Sequence, residues 1–489
     1  MRPFRPARRQ RGAIFVLFAV MVLSLLSMAG LALDLTQAYN RRVELQALAD
    51  AAALAAAREL NGTTSGVDKA VSAAASVALT YSYQYSTLPL SWSAAALSFA
   101  ASASTPDSGW SDAASAAAAP AGLLYAKVDT AALDASVGNV ATVFMRFAGV
   151  VPASLSVAAR AVAGRLSIGV TPLAICAQSP TPAASRANTA SPSYNELVEF
   201  GFRRGVAYNL MNLNPNGSTP ENFLIDPLSP PGTTGAPGNF GTDVVGPFIC
   251  AGSMLMPSVT GGALNVQRNF PLATLYPHLN SRFDNYSGNY CMPEPAPPDS
   301  NIKAYAYNSI GWMSPAAATQ TAATWTNGGV KLWTRADPLP GDASNTAPQY
   351  GPLWSFARAV PYSAYTAAPV EPAAGYTPFA TTAWSSLYTP GPPAASGYPS
   401  GPATATPYST GSGVNFQAPS AAHAGQARRR VLNVALLSCP VPAGATASAT
   451  VLGVGRFFMT VPATATSISA EFAGVAAAST LTGAVELQR

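Results

Sequence analysis

The chain has 489 residues, and few of them have types suited to chemistry. Four cysteines come first. Cys176, Cys250, Cys291 and Cys439 form no CxxC pair, so neither a zinc site nor a redox dithiol has the spacing it needs. In an oxidising compartment four such residues suit two disulfides, and three pairings are open. Cys176 ends the apolar run PLAIC and Cys439 ends VALLSC, while Cys250 and Cys291 bracket loop-rich sequence. Those contexts favour Cys176–Cys439 and Cys250–Cys291. The two histidines, His278 in LYPHLN and His423 in SAAHAGQ, have no second ligand at metal spacing. HExxH, a nucleophile elbow, a phosphate-binding glycine loop and an EF-hand pattern do not occur in the sequence. Asp226, Asp243, Asp284, Asp299 and Asp337 are isolated in polar, loop-like sequence. Arg428-Arg429-Arg430 reads as an exposed entrance to a strand, with docking of an acidic partner or lipid headgroups as the alternative. No catalytic, cofactor-binding or metal residue is therefore assigned, no cofactor is expected, and the chain is expected not to be an enzyme.

The charge distribution points elsewhere. Charged residues make up 10 % of the chain, against roughly 25 % in a typical soluble domain. The net charge of +5 matches Arg2, Arg5, Arg8, Arg9 and Arg11, so the remainder is formally neutral. The basicity is an N-terminal cluster, not a nucleic-acid-binding face, and no nucleic-acid partner is expected.

The element behind that cluster is a membrane span. Ala13 to Leu33 carries no charge and, as a helix, reaches about 31 Å, enough for a hydrocarbon core of about 30 Å. The arginines before it and Asp34 after it place the N-terminus in the cytoplasm and the rest outside, by the positive-inside rule. A cleaved signal peptide, with Ser27 and Ala29 as small residues near the cut, is the alternative. Asp34 to Leu60 has no Gly or Pro and is rich in good helix formers, so one helix is expected from about Ala13 to Leu60, with Asn61-Gly62 as its stop. Beyond the membrane, no clean apolar stripe emerges from the pattern. Leu45, Leu48, Ala52 and Ala55 share a face, but Val43, Ala47 and Leu54 lie on another.

These residues carry a family resemblance. The Arg-Gly before the span, Gly30-Leu31-Ala32-Leu33-Asp34 at its end, Tyr39, Arg42 and the run Leu45 to Ala55 resemble the N-terminal domain of TadG-like Flp pilus-assembly proteins, the Tad family. The resemblance covers about the first sixty residues. It implies an inner-membrane component of a tight-adherence pilus system, acting in fibre assembly, cell adhesion to surfaces and biofilm formation. Related pseudopilins are cut after a Gly and carry Glu five residues into the mature chain. Here Leu17 takes that place after Gly12. An anchored accessory protein that scaffolds pilus biogenesis is therefore expected, with a minor pilin or adhesin, or an exported enzyme, as alternatives. The implied partners are the lipid bilayer, other pilus-assembly or envelope proteins, and a helix–helix oligomer. The implied location is a single pass through the bacterial inner membrane, with a periplasmic C-terminal region.

The expected fold class is α+β. Residues 1–62 form the anchor domain, 63–168 a small α+β unit and 169–489 a β-rich, loop-heavy periplasmic domain. In the middle region, Asp68–Tyr81 reads as a helix, Leu88–Ala103 and Leu123–Val128 as strands, Asp107–Gly122 as a loop, Asn139–Gly149 as a short helix and Ser154–Ile168 as a strand. The last region offers strand candidates at Val170–Cys176, Val244–Cys250, Lys303–Tyr307, Val330–Trp333, Val431–Ser438, Phe457–Val461 and Ser467–Phe472. Residues 338–426 read as one long, low-charge loop whose aromatic residues pin it to a sheet, or serve as adhesive contacts.

Overall fold

Arg11–Glu59 contains no proline and only Gly12 and Gly30 as glycines, so nothing in it interrupts the backbone ladder. It forms one 49-residue helix, α1. The computed structural model describes residues 11–60, 64–84, 87–101, 103–120, 123–142, 153–165, 167–188, 191–216, 219–233, 238–307, 310, 313, 324–327, 330–333, 350–388, 406–481 and 485–488. The stop at Asn61-Gly62 lies outside these residues. The chain groups into two units, residues 1–165 with 485–489, and residues 166–484.

In the first unit α1 packs against α2, Thr64–Ala78, whose Val67, Ala70, Ala74 and Ala78 form one buried face at helical spacing. α1 also covers an antiparallel sheet of β1 (Leu97–Ala100), β2 (Tyr125–Asp129), β3 (Arg160–Arg165) and a terminal strand, Val485–Gln488. The order is terminal strand–β3–β2–β1. Phe99, Ala126, Val128, Ala161 and Ala163 meet Ala49, Ala52, Ala53, Ala56 and Ala57 of α1 in one core. Small side chains on the helix let its backbone approach the sheet closely.

The second unit is built on a larger sheet. Its strands are β4 (Leu173–Cys176), then β5 (Ala184–Ala187), β6 (Asn195–Glu199), β7 (Phe202–Arg203), β8 (Ala207–Asn209), β9 (Asn222–Ile225) and β10 (Leu264–Arg268). After a long excursion come β11 (Val431–Leu437), β12 (Thr446–Ala449), β13 (Val451–Met459) and β14 (Ser469–Val475). Eight of them form one sheet in the order β8–β14–β13–β11–β4–β9–β10–β12. Its central pair, β11 and β4, is parallel, and the other pairs are antiparallel. Leu432, Val434 and Leu436 face one core, and Ala435 and Leu437 face a second. Burial on both faces explains why these strands read as continuous apolar runs. The fold is α+β with a β-rich second unit.

Both bridges lie in that unit. Cys176 is bonded to Cys439, Cα to Cα 5.6 Å, and Cys250 to Cys291, 5.9 Å. The first ties the ends of the parallel pair β4 and β11, where Leu437 stands opposite Cys176.

Several expectations need correction. Val244–Cys250 is not a strand but lies in a helix, α3, Thr242–Ala251, ended by Gly252 in the left-handed region at φ 74°. Lys303–Tyr307 is not a strand, and Tyr307 sits at positive φ, 45°. The Arg430 guanidinium takes the carbonyls of Asn301 and Lys303 that a neighbouring strand would have taken. Asn139–Ala141 is a strand paired with Ser154–Ser156, not the start of a helix, because the Asp134 side chain already caps a turn over Ala135–Gly138. Residues 143–149 lie outside the described residues. The expected loop Asp107–Gly122 contains a helix at Ala113–Ala118, started by Asp112 accepting from Ser115 N–H at 2.8 Å. Within 338–426, the described residues hold short helices at Tyr362–Ala367 and Trp384–Leu387. Trp354, Trp384 and Tyr388 of this segment are buried in the larger core.

Removing each bridge separates their contributions. Cys250→Ala with Cys291→Ala opens a loop of 41 residues, and Cys176→Ala with Cys439→Ala one of 263. Loop-closure entropy gives a loss of about 4 kcal/mol for the first pair and a larger loss for the second. Urea unfolding of the two double variants checks the order, and a smaller loss for the long loop contradicts it.

Candidate membrane interface

From Phe15 to Met28, α1 points large apolar side chains outward on every side, with Phe15 74 % and Met28 69 % exposed. Keeping this surface in water costs roughly 25 cal/mol per Å², and a bilayer removes that cost. The two hydroxyls in the stretch are satisfied inside the helix. Ser24 donates to the Val20 carbonyl at 2.9 Å and Ser27 to the Leu23 carbonyl at 2.8 Å. That is the arrangement a hydrocarbon environment demands. α1 is a helix long and apolar enough to cross a membrane.

The environment changes at Gly30. From there Gly30, Asp34, Ala38, Arg41, Leu45, Leu48, Ala52 and Ala56 are buried, three or four residues apart, and run as one stripe down the helix. Arg41 fixes the stripe at its middle. Its guanidinium donates to the Val137 carbonyl at 2.6 Å, pairs with Glu44 at 3.4 Å and lies 4.7 Å from the Tyr83 ring centroid. Glu44 accepts in turn from the Gln84 N–H at 3.1 Å, and Gln46 donates to the Arg160 carbonyl at 3.1 Å. Sequence reasoning missed this stripe because two of its members are charged and one is glycine. The signal was the spacing alone. Leu35, Tyr39, Arg42, Val43 and Ala47 remain exposed.

The other residues weighed for chemistry are placed as follows. Arg2, Arg5, Arg8 and Arg9 lie outside the described residues, and Arg11 begins α1. His278 is buried in α4, Leu272–Leu279, and bonds the Asn289 carbonyl at 3.0 Å. Gly246 and Gly288 close on its ring so tightly that a Cβ at either would strike it. Burial lowers its pKa. His423 Nδ1 meets Asp284 Oδ1 at 2.5 Å, with its ring edge-on to Tyr286. Asp226 is buried and accepts from Leu228, Ser229 and Asn239, while Asp243 sits in the first turn of α3. Asp337 lies outside the described residues. Arg428-Arg429-Arg430 is not an exposed patch. Arg429 is partly buried, donating to the Pro297, Cys250 and Ala251 carbonyls. Arg430 is wholly buried, and only Arg428 faces solvent. Among the described residues, Cys176, Cys439 and Glu221 come together as a metal-capable group, but the two sulfurs are bonded to each other and offer no thiolate.

Sequence reasoning also missed the buried charges of the second unit. Phe200 and Gly201, both at positive φ, turn β6 back into β7. The turn brings Arg203 onto Glu196 at 2.8 Å, with both side chains wholly buried. Arg204 meets Glu199 at 2.6 Å and Glu371 at 2.9 Å. The signal was the string Glu196 to Arg204, dense in charge within a chain poor in it. Among the described residues, no Lys or Arg forms an ion pair with Glu471. Its carboxylate accepts from the N–H groups of Ser355, Phe356 and Ala357 at 2.6, 3.0 and 2.7 Å. Burial pushes its pKa up to about 7 against these donors.

Two measurements follow from this geometry. Ala52→Leu overpacks the stripe and costs about 1–3 kcal/mol in unfolding of the first unit, whereas Ala47→Leu, on the exposed face, leaves the midpoint unchanged. Equal effects would remove the stripe as the packing determinant. For Glu471, the folded state holds its proton more tightly than the unfolded chain, whose carboxyl titrates near 4.5. The stability it contributes is therefore present below about pH 4.5 and is lost as pH rises through about 7, on the order of 3 kcal/mol. Subtracting the pH–stability curve of Glu471→Gln isolates this slope, and a flat difference between pH 5 and 8 contradicts it.

Comparison with known proteins bears on α1. No curated protein and no solved structure matches the chain. Residues 12–59 match the model of the Tad family, Flp pilus-assembly TadE/G-like. The matched residues are a minor part of the chain, and they coincide with the helix that is bare at one end and buried at the other. In that segment the chain is similar to Flp pilus-assembly TadE/G-like proteins.

Proposed function

We propose that this chain is a non-enzymatic accessory protein of Flp pilus assembly. It is anchored in the bacterial inner membrane by α1, with its N-terminus in the cytoplasm and the rest in the periplasm. Its role is to scaffold pilus biogenesis and surface attachment, with the folded units engaging other pilus-assembly or envelope proteins. The observation that carries this reading is the coincidence of the TadE/G-like match with a helix whose apolar half is bare. The orientation rests on Arg2, Arg5, Arg8, Arg9 and Arg11 preceding the span. The two disulfides suit an oxidising compartment. The non-enzymatic part draws support from the acids of the second unit, since buried Glu196, Glu199 and Glu471 and partly buried Glu371 are all bonded to the fold itself.

A second reading is a minor pilin or adhesin, because a bare apolar helix suits the centre of a fibre as well as a bilayer. N-terminal sequencing of the membrane-extracted protein separates the two. The anchored reading expects the arginine cluster to be retained. A chain beginning at Ala13 moves the assignment to the fibre, and one beginning just after Ala29 removes the anchor altogether. Replacing the five arginines by glutamate is expected to expose the N-terminus on the periplasmic side in a protease-accessibility assay.

A further inference from the structure

The route of the chain through its first unit has a functional consequence. β3 ends at Arg165, and the terminal strand beside it starts at Val485, directly opposite Arg165 in register. The two strands are an antiparallel hairpin in everything but their connection, which a two-residue turn could make. In its place stands the whole second unit, residues 166–484. That unit closes on itself where it leaves the hairpin. The Gly169 N–H donates to the Leu481 carbonyl at 2.8 Å, and Ile168 exchanges backbone hydrogen bonds with Met254. Both disulfides stay within residues 166–484.

We propose that residues 166–484 are an inserted head, folding as a separate cooperative block in the chain between two paired strands of the unit that holds the protein in the membrane. The autonomy of the head stands without the pilus reading. The division of labour, in which the TadE/G-like unit engages the assembly machinery and the head engages envelope or surface partners, rests on it.

The test uses the full chain in membranes, with protease sites placed between Arg165 and Leu166 and within residues 482–484. Cutting both sites is expected to release the head into the soluble fraction with both disulfides intact and an unfolding midpoint within about 2 °C of its midpoint in the uncut protein. A head that stays on salt-washed membranes or aggregates overturns the proposal. Phe99→Ala, deep in the core of the first unit, gives a second readout without cleavage. It is expected to lower one unfolding transition by several degrees and leave the other in place, and loss of both together overturns autonomy. Counting fibres on cells that carry a foreign domain between Arg165 and Val485 addresses the division of labour alone. Fibres at the normal number support it. Their absence, with the chain still in the membrane, overturns that division while leaving autonomy and a role in pilus assembly in place.

Discussion

A single helix in this protein has to satisfy two solvents, and the rest of the structure follows from where it changes between them. From Phe15 to Met28 α1 turns large apolar side chains outward all round, which only hydrocarbon tolerates cheaply. From Gly30 onward the helix presents one buried stripe to its own unit and another face outward. Glycine and alanine dominate the buried side because α2 and the sheet press close to the helix backbone. A larger residue there would have to be accommodated by moving a whole element, since protein interiors have little spare volume. Arg41 sets the register of this packing. A buried guanidinium is costly unless its donors are met, and the Val137 carbonyl, Glu44 and the Tyr83 ring meet it in one place along the helix.

The scarcity of charge has a related logic in the second unit. With few charged residues available, the fold concentrates many of them inside. Arg430 reaches the carbonyls of Asn301, Lys303, Met459 and Thr460 and lies over the rings of Phe283 and Phe458. It thereby joins the excursion before β11 to the end of β13. Glu471 does the same for the segment at Ser355–Ala357, and Arg204 with Arg456 for Glu371. Chain segments too irregular to pair as strands are thus held by side-chain groups that replace the missing ladder bonds. The aromatic residues of the long, Pro-rich segment work in the same direction. Trp354 donates to the Tyr388 hydroxyl at 2.6 Å and packs edge-on against Trp384.

How much of this was legible from residues alone depended on whether the determinant was local. α1 was legible, because an uninterrupted run without breakers has one outcome. So were β4 and β11, as short apolar runs buried on both faces. The buried stripe was not, since Asp34 and Arg41 belong to it and alanine reads equally well as surface or core. Val244–Cys250 failed because an apolar run holding both Gly and Pro resembles a strand in isolation. Its helical state depends on distant residues, with Arg429 and Arg282 donating to the carbonyls of Ile249, Cys250 and Ala251 at its end. Lys303–Tyr307 failed for a similar reason, since Arg430, its partner, lies more than a hundred residues away. Cys176 and Cys439 were legible as the ends of apolar strand runs, whereas Cys250 closes the run whose helix the sequence did not show. The pairing of Glu196 with Arg203 needed knowledge of a turn at Phe200-Gly201.

The return of the chain to the first unit at Val485 was illegible for a more general reason. Strand pairing carries no marker of sequence distance, so a hairpin with a two-residue turn and one with a folded unit in its loop look alike at the paired residues. Energetically they are also close. Loop-closure entropy rises only with the logarithm of loop length, and a loop that is itself folded, with Gly169 joined to Leu481, brings its two ends together before the hairpin has to. The core of the first unit is the Ala-rich face of α1 against four short strands, and every residue of that core comes from α1, α2 and the segments before Arg165 or after Val485.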